Sequence, residues 1–162
     1  MSITIKLDFI TEPEEQSLIT MIDSQPWSNA ISRRTQHYGF EYTYKTVSDS
    51  LKNLGEIPDW LNVKHILTDN KINQVIINEY IPGQGIGAHR DSPIFGDTII
   101  ALSLGNDIIM TLDNVDTLIK RRSLMTFDRS VLHGITARKT DVINQKRVVR
   151  GRRISITYRY YK

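Results

Sequence analysis

Apolar positions follow two different rhythms along the chain. Near the start, Leu18, Ile19 and Ile22 recur at helical spacing behind Thr11-Glu12-Pro13-Glu14. That tetrapeptide has the T-x-x-E form of a capping box, with proline where a first turn tolerates it. The pattern predicts a helix over residues ~12–24, closed by Pro26-Trp27, with one face packed on the core. The stretch 33–44 instead alternates aromatic and polar residues and reads as two strands about a turn at Gly39. Trp60, Val63 and Leu67 predict a second short helix. After residue 71 the rhythm turns to β: residues 74–81, 98–104, 107–113, 123–127 and 153–161 are short β-rich runs, with glycines supplying turns near several of them. Many short strands at roughly regular spacing predict an antiparallel sandwich or jelly roll, and helices preceding strands make the class α+β. No repeat or Gly/Ser/Pro-rich linker divides the chain. One domain is expected over 1–162, with a helical region in 1–70 and a β core in 71–162.

Composition narrows the function classes. The 162 residues, 40% hydrophobic and 24% charged, suit a single globular core and argue against disorder or a fibrous repeat. With no cysteine, disulfides, thiolate metal sites, iron–sulfur clusters and cysteine nucleophiles are excluded, which fits a cytoplasmic setting. No apolar run approaches ~18 residues, and Met1-Ser2-Ile3-Thr4-Ile5-Lys6 lacks the apolar stretch of a secretion signal, so neither membrane insertion nor secretion is expected. The net charge of +3 hides an asymmetry: residues 1–119 carry 8 Lys/Arg against 16 Asp/Glu, a net of −8, and residues 120–162 carry 13 against 2, a net of +11. Such a split marks a basic surface for a polyanion, a set of arginines around an acidic ligand, or a solvated basic tail.

Candidate chemistry begins at His89-Arg90-Asp91, behind the turn-rich Pro82-Gly83-Gln84-Gly85-Ile86-Gly87. In an extended chain residues i and i+2 share a side, so His89 and Asp91 can converge on one ion. A third ligand completes a two-histidine, one-carboxylate facial triad, which suits Fe(II) and leaves positions open for a chelating co-substrate and O2. His133, in Val131-Leu132-His133-Gly134-Ile135, is the leading candidate; His37 and His65 are the others. Over 153–159, Ile154, Ile156 and Tyr158 fall on one face and Arg153, Ser155, Thr157 and Arg159 on the other. Six residues at ~3.3 Å each place the two arginine Cα atoms roughly 20 Å apart. Side chains leaning inward shorten that to the span of a small dicarboxylate. Guanidinium pairs bidentately with carboxylate and keeps its charge when buried; the alternative is an exposed edge strand guarded by charge. Asn78 and Tyr80 likewise share a face and offer an amide and a phenol donor.

In this order, N-x-Y, H-x-D, H and R-x5-R resemble the AlkB family of Fe(II)/2-oxoglutarate dioxygenases. The blocks 78–91, Leu102-Ser103-Leu104-Gly105, Arg121-Arg122-Ser123-Leu124, His133-Gly134-Ile135 and 151–159 look like that family's, and Gln36-His37-Tyr38-Gly39-Phe40-Glu41-Tyr42 extends the likeness to nearly the whole chain. Residues 82–86, 102–105 and 133–135, with Ala137-Arg138-Lys139, are most similar to the branch containing the tRNA wobble-uridine hydroxylase. The resemblance implies a double-stranded β-helix (jelly roll) with N-terminal helices and a nucleotide-recognition lid. It implies Fe(II) held by His89, Asp91 and His133, with 2-oxoglutarate and O2 as co-substrates. Arg153 and Tyr80 would bind the distal carboxylate of 2-oxoglutarate, and Asn78 and Arg159 would sit near its keto-acid end. The implied reaction oxidises a modified DNA or RNA base, either releasing an N-alkyl group as an aldehyde or leaving a stable hydroxyl. Lid residues that stack on an unpaired base and guide its phosphates are expected at Arg33, Arg34, His37 and Tyr38. The alternative for them is a core-facing strand with two surface arginines.

Two departures from the family pattern stand out. Demethylating members often carry an acidic residue two positions after the metal aspartate, where this chain has Pro93; Asp97 is the candidate substitute. The segment from Ser123 to His133 is also short. The competing readings are the same chemistry on a protein or small molecule, and a basic nucleic-acid-binding module without catalysis. Setting Arg153 and Arg159 aside as internal leaves +9 over residues 120–162. That remainder favours a nucleic-acid partner as a secondary cue, and the chain is expected to act as a monomer.

Overall fold

In the computed structural model, which describes residues 3–42 and 51–162, the Thr11 side chain accepts from Glu14 N. The Thr11 N–H in turn donates to Glu14 Oε1 at 2.9 Å, and this reciprocal box starts helix α1 (Glu12–Asp23). Leu18 and Ile22 form its buried face. The second predicted helix is instead a pair of 3-10 turns, Asp59–Leu61 and Val63–His65, followed by the single-turn α2 (Ile66–Asp69). Asn62 supplies the reason: its side-chain oxygen accepts from Leu67 N at 2.8 Å and starts a new turn there.

The strands are β1 (Ile3–Lys6), β2 (Thr35–Tyr38), β3 (Phe40–Glu41), β4 (Lys52–Asn53), β5 (Gln74–Tyr80), β6 (Ile86–His89) and β7 (Thr98–Leu104). They continue with β8 (Ile108–Leu112), β9 (Val115–Ile119), β10 (Leu124–Asp128), β11 (His133–Ile135), β12 (Thr140–Ile143), β13 (Lys146–Val149) and β14 (Arg153–Arg159). A six-stranded sheet runs β1-β10-β7-β14-β5-β2 and a four-stranded sheet runs β6-β11-β8-β9, all pairs antiparallel. This is the expected double-stranded β-helix. Strand alternation sorts the core into two layers. Val75, Ile77, Leu102, Ile154, Ile156 and Tyr158 pack outward against Leu18, Ile22, Leu61 and Ile66. Ile99, Ala101, Met125 and Phe127 pack inward against Ile108, Met110, Leu112 and Ile135 of the smaller sheet. Among the described residues, no helix is long and apolar enough to cross a membrane.

One expected hairpin is absent. Residues on either side of Gly39 do not pair with each other: β2 pairs with β5, and β3 with β4. Gly39 has φ +77°, and a Cβ there would lie 2.0 Å from the Asn73 carbonyl oxygen. The glycine therefore lets the chain leave the large sheet at a close backbone crossing. Thr43 and Tyr44 of that reading lie outside the described residues.

Much of the charge asymmetry is taken up by ion pairs within the chain, some buried and some at its surface. Glu15 of α1, only 1% exposed, accepts from Arg121 at 2.7 Å and from Gly105 N at 2.9 Å. Arg152 spans Asp23 and Glu79 at 2.6 and 2.7 Å, and Arg150 grips buried Asp141 at 2.9 Å. Arg122 pairs with Asp8, Arg129 with Asp97 and Arg138 with Asp141. Arg121, Arg122, Arg138, Arg150 and Arg152, counted above toward a polyanion surface, are partners of carboxylates, so the cue is corrected to a smaller set of lysines and Arg147.

Candidate active site

β6 ends at His89 and β11 begins at His133, and the two residues are direct partners in the ladder. Asp91 follows two residues past His89. The three side chains each offer a ligand atom, and all these atoms lie within 4.8 Å of one another. Asp91 Oδ1 is 3.3 Å from His133 Nε2 and 3.7 Å from His89 Nε2. Each ring has its Nδ1 beside a carbonyl two residues back: His89 at 2.8 Å from Gly87 O, His133 at 3.0 Å from Val131 O. With Nδ1–H donating there, Nε2 of each ring is turned toward the common centre. Gly85 makes the close approach of these strands feasible, because a Cβ would fall 2.2 Å from the Ile135 carbonyl oxygen.

Electrostatics fix the carboxylate as an anion. Burial would raise the Asp91 pKa, but hydrogen bonds from His133 and Arg159 and their charges hold it down to about 2. Burial pulls His89 below the ordinary imidazole value; at His133 the same burial is outweighed by the Asp91 contact, and the pKa rises.

β14 faces this cluster with an arginine at each end. Arg159 donates Nη1 to Asp91 Oδ2 at 3.0 Å and Nε to Gln74 Oε1 at 2.8 Å, with its guanidinium 3.9 Å above the Phe95 ring. Arg153 is 2% exposed, donates Nε to Ser103 Oγ at 2.9 Å and lies 5.5 Å from the centroid of Tyr80, its ladder partner. Its buried Nη1 has no hydrogen-bond partner among the described residues. Burial lowers the Arg153 pKa and raises that of Tyr80. Asn78, opposite Ser155, accepts from Arg33 Nε at 3.0 Å.

These groups line one cavity of about 120 Å³, walled on the apolar side by Ile86, Ala101, Met110, Met125 and Phe127. The sequence-predicted residues His89, Asp91, His133, Asn78, Tyr80, Arg153 and Arg159 all reach it, as does Arg33. Arg34, His37 and Tyr38 do not line it. Arg34 forms a two-pronged pair with Glu79, 2.8 Å on each prong, and Tyr38 donates to Gln36 and packs edge-on against Trp60. His37 lies near Thr35 Oγ1 and accepts from Tyr42 N. Asp97 is exposed and paired with Arg129, outside the cavity lining. Ser103 and Gln74, which orient the two arginines, escaped the sequence reading. Their signal was a polar residue in an otherwise apolar run.

The donor set fits the implied cofactors. Two imidazoles and a carboxylate on one side of a pocket match a borderline divalent ion such as Fe(II). A fully buried guanidinium with an orphaned Nη1 calls for a carboxylate, since an unmatched buried charge is costly.

The chain matches the family model of the 2OG-Fe(II) oxygenase superfamily over residues 8–159. It is 31% identical over 170 residues to uncharacterized protein L905 of Acanthamoeba polyphaga mimivirus, covering 94% of this chain and 81% of that one. It is 36% identical over 163 residues to the Macaca fascicularis protein named tRNA (carboxymethyluridine(34)-5-O)-methyltransferase ALKBH8, covering 84% of this chain but 24% of that protein. The chain thus spans about a quarter of that relative's length. The solved structure of OsALKBH1 superposes with a TM-score of 0.72 at 13% identity, covering 97% of both chains, which shows a shared fold.

Proposed function

This chain belongs to the 2OG-Fe(II) oxygenase superfamily, and from that premise we propose that it is an AlkB-type dioxygenase that oxidises a modified nucleic-acid base. The observation that carries the site assignment is the pairing of a His89-Asp91-His133 cluster with an orphaned Arg153 Nη1 across one cavity. Support for a nucleic-acid substrate comes from the AlkB-like relatives, one of them named for tRNA.

His89, Asp91 and His133 would hold Fe(II), and Arg153 with Tyr80 would hold the distal carboxylate of 2-oxoglutarate. When bound, these supply an oxidation by O2 in which 2-oxoglutarate loses CO2 to become succinate and a substrate C–H carbon gains an oxygen. The chain's own part is placement. The Gly87 and Val131 carbonyls orient both imidazoles, and Arg159 keeps Asp91 ionised and fixed. Ser103 sets the Arg153 fork, and Met110, Met125 and Phe127 form an apolar wall beside the centre. A base enters only when unpaired or flipped, with Arg33 at the cavity.

The test has two parts. Fe(II) and 2-oxoglutarate added together anaerobically should give a visible charge-transfer band that His89→Ala abolishes; a full-strength band in the variant overturns the metal assignment. Mass spectrometry of a panel of modified oligonucleotides, with succinate measured in parallel, should then find one that is oxidised. If none stimulates succinate formation while a peptide or small molecule does, the substrate reading fails.

A further inference from the structure

The cavity has an imbalance of charge that the cofactors do not account for. Its described lining holds four guanidinium groups, Arg33, Arg90, Arg153 and Arg159, against one carboxylate, Asp91. Arg159 is committed to Asp91. Arg153 faces the co-substrate carboxylate on the reading above, and Arg90 gives its Nε to the Ser130 carbonyl at 2.9 Å. Arg33, like Arg90 and Arg153, gives its Nε to a neutral acceptor, here Asn78 Oδ1, and no described residue accepts from its two terminal nitrogens. Unlike Arg90, which is exposed, it is half-buried, and unlike Arg153 it has no ligand assigned to it.

Arg33 is also held in place. Ser28 and Thr35 exchange backbone hydrogen bonds of 2.8 and 3.1 Å and close the loop that carries it. On one side Gln84 Nε2 donates to the Ser32 carbonyl at 3.0 Å, and on the other Arg34 is locked to Glu79. Arg34 is held against Glu79 outside the cavity lining, while Arg33 lines the cavity. The Arg33 guanidinium sits 5.9 Å from the Tyr80 ring centroid, and Arg153 lies 5.5 Å from that same ring. A second guanidinium is thus fixed at the cavity, near the Tyr80 ring, with its paired N–H edge unspent, an arrangement that recognises an oxyanion.

We propose that Arg33 is the counter-charge for a carboxylate-bearing substituent on the substrate base, so that the site favours anionic over neutral modifications and selects against cationic N-alkylated bases. The proposal rests on the nucleic-acid reading above. A substituent is favoured over a backbone phosphate because Arg33 lines the cavity that receives the base, whereas phosphates remain outside when a base is flipped in. At a separation of about 6 Å, a unit charge on the substrate changes binding by about tenfold or more in either direction, even at the high effective dielectric of a half-exposed site.

The experiment uses single-stranded oligonucleotides with one modified base. They carry a carboxymethyl group on adenine N6 or uracil C5, the isosteric neutral carbamoylmethyl group, or the cationic 1-methyladenine. Affinity is measured anaerobically and oxidation by mass spectrometry, for the wild type, Arg33→Gln and Arg33→Glu. The wild type should prefer the carboxymethyl strands over their carbamoylmethyl isosteres by about tenfold. Arg33→Gln should level the pair, and Arg33→Glu should reverse the order and improve 1-methyladenine. Equal use of the two isosteres by the wild type, or preference for the cation, overturns the proposal while leaving the dioxygenase reading intact. A uniform loss across all strands with a reduced salt slope assigns Arg33 to phosphate and also overturns it. So does a matching rise in the 2-oxoglutarate Kd, which would assign Arg33 to the co-substrate. Absence of turnover on every strand, with no modified strand bound more tightly than the unmodified one, overturns both readings.

Discussion

Replacing Arg153 by methionine removes the guanidinium while keeping a long flexible side chain, and it separates what this residue does for the fold from what it does for the ligand. Without a ligand, Arg153 is a fully buried cation with one hydrogen bond to Ser103 Oγ, a Tyr80 ring at 5.5 Å and an orphaned Nη1. Exchanging an under-compensated buried charge for an apolar group commonly stabilises by ~1–4 kcal/mol. Taking ~2 kcal/mol, and ~2–4 °C per kcal/mol for a chain of this size, the Tm of ligand-free Arg153→Met should rise by about 4–8 °C. The ligand response should move the other way. At 100 times its Kd, 2-oxoglutarate stabilises the wild type by about 2.7 kcal/mol, or roughly 5–10 °C. Losing the buried partner of its distal carboxylate costs about 3–5 kcal/mol and weakens binding by roughly two to three and a half orders of magnitude. The same concentration then gives the variant less than ~0.5 kcal/mol, a shift of ~1–2 °C at most. The assay is thermal denaturation of both proteins, with and without 2-oxoglutarate, under anaerobic Mn(II). Two results refute the reasoning. A variant that keeps the full ligand shift shows that Arg153 does not hold the co-substrate. A ligand-free variant that is less stable than the wild type shows that the guanidinium is a structural element whose charge is already compensated.

Three further outcomes follow from other contacts in the fold. Gly85→Ala drives a Cβ to 2.2 Å from the Ile135 carbonyl oxygen and must separate β6 from β11, so metal affinity, measured by titration of the anaerobic charge-transfer band, should fall well before the fold is lost. Glu15, Glu79 and Asp141 all have pKa values below the ordinary carboxylate range: arginine hydrogen bonds and charges outweigh burial at Glu15 and Asp141, and lead at Glu79. Because the folded values are depressed, their contribution is complete above the unfolded carboxylate pKa and disappears as pH falls through the folded values. The contribution of these pairs to Tm, read as the difference between the wild type and Asp141→Asn, should therefore be constant above about pH 5 and fall below about pH 4. Asp141→Asn, which strands buried Arg150, should cost about 3–5 kcal/mol at neutral pH; an unchanged Tm on substitution, or a difference that does not fall with pH, would show that these pairs are solvated.

Local rules with a strong physical cause were legible in the chain, and contacts made across it were not. The capping box at Thr11 marks its helix because both hydrogen bonds lie within four residues. The two faces of β14 are written in its alternation, since a strand buried on both sides must sort apolar from polar at period two. β6 escaped notice because a glycine and two exposed central positions blur that alternation, and β13 because all four of its residues are exposed. Gly39 read as a hairpin turn, since sequence shows that a residue tolerates positive φ but not which backbone it must pass. The motif residues could be paired by spacing and resemblance, whereas Ser103 and Gln74 are defined by the arginines they touch, 50 and 85 residues away. The charge asymmetry makes the same point at the scale of the whole chain. In sequence it suggested a polyanion surface. In the fold, acids of the first part, Glu15, Asp23 and Glu79, meet bases of the last, Arg121 and Arg152. A jelly roll threads early and late strands through one sheet, as β5, β14 and β7 do here. Segregated charge along such a chain favours pairing of early with late segments and disfavours pairing within each. What it leaves unpaired is therefore more informative than its total: among the described residues lining the cavity, Arg33, Arg90 and Arg153 have no carboxylate partner, and Arg33 is the half-buried one with no assigned ligand.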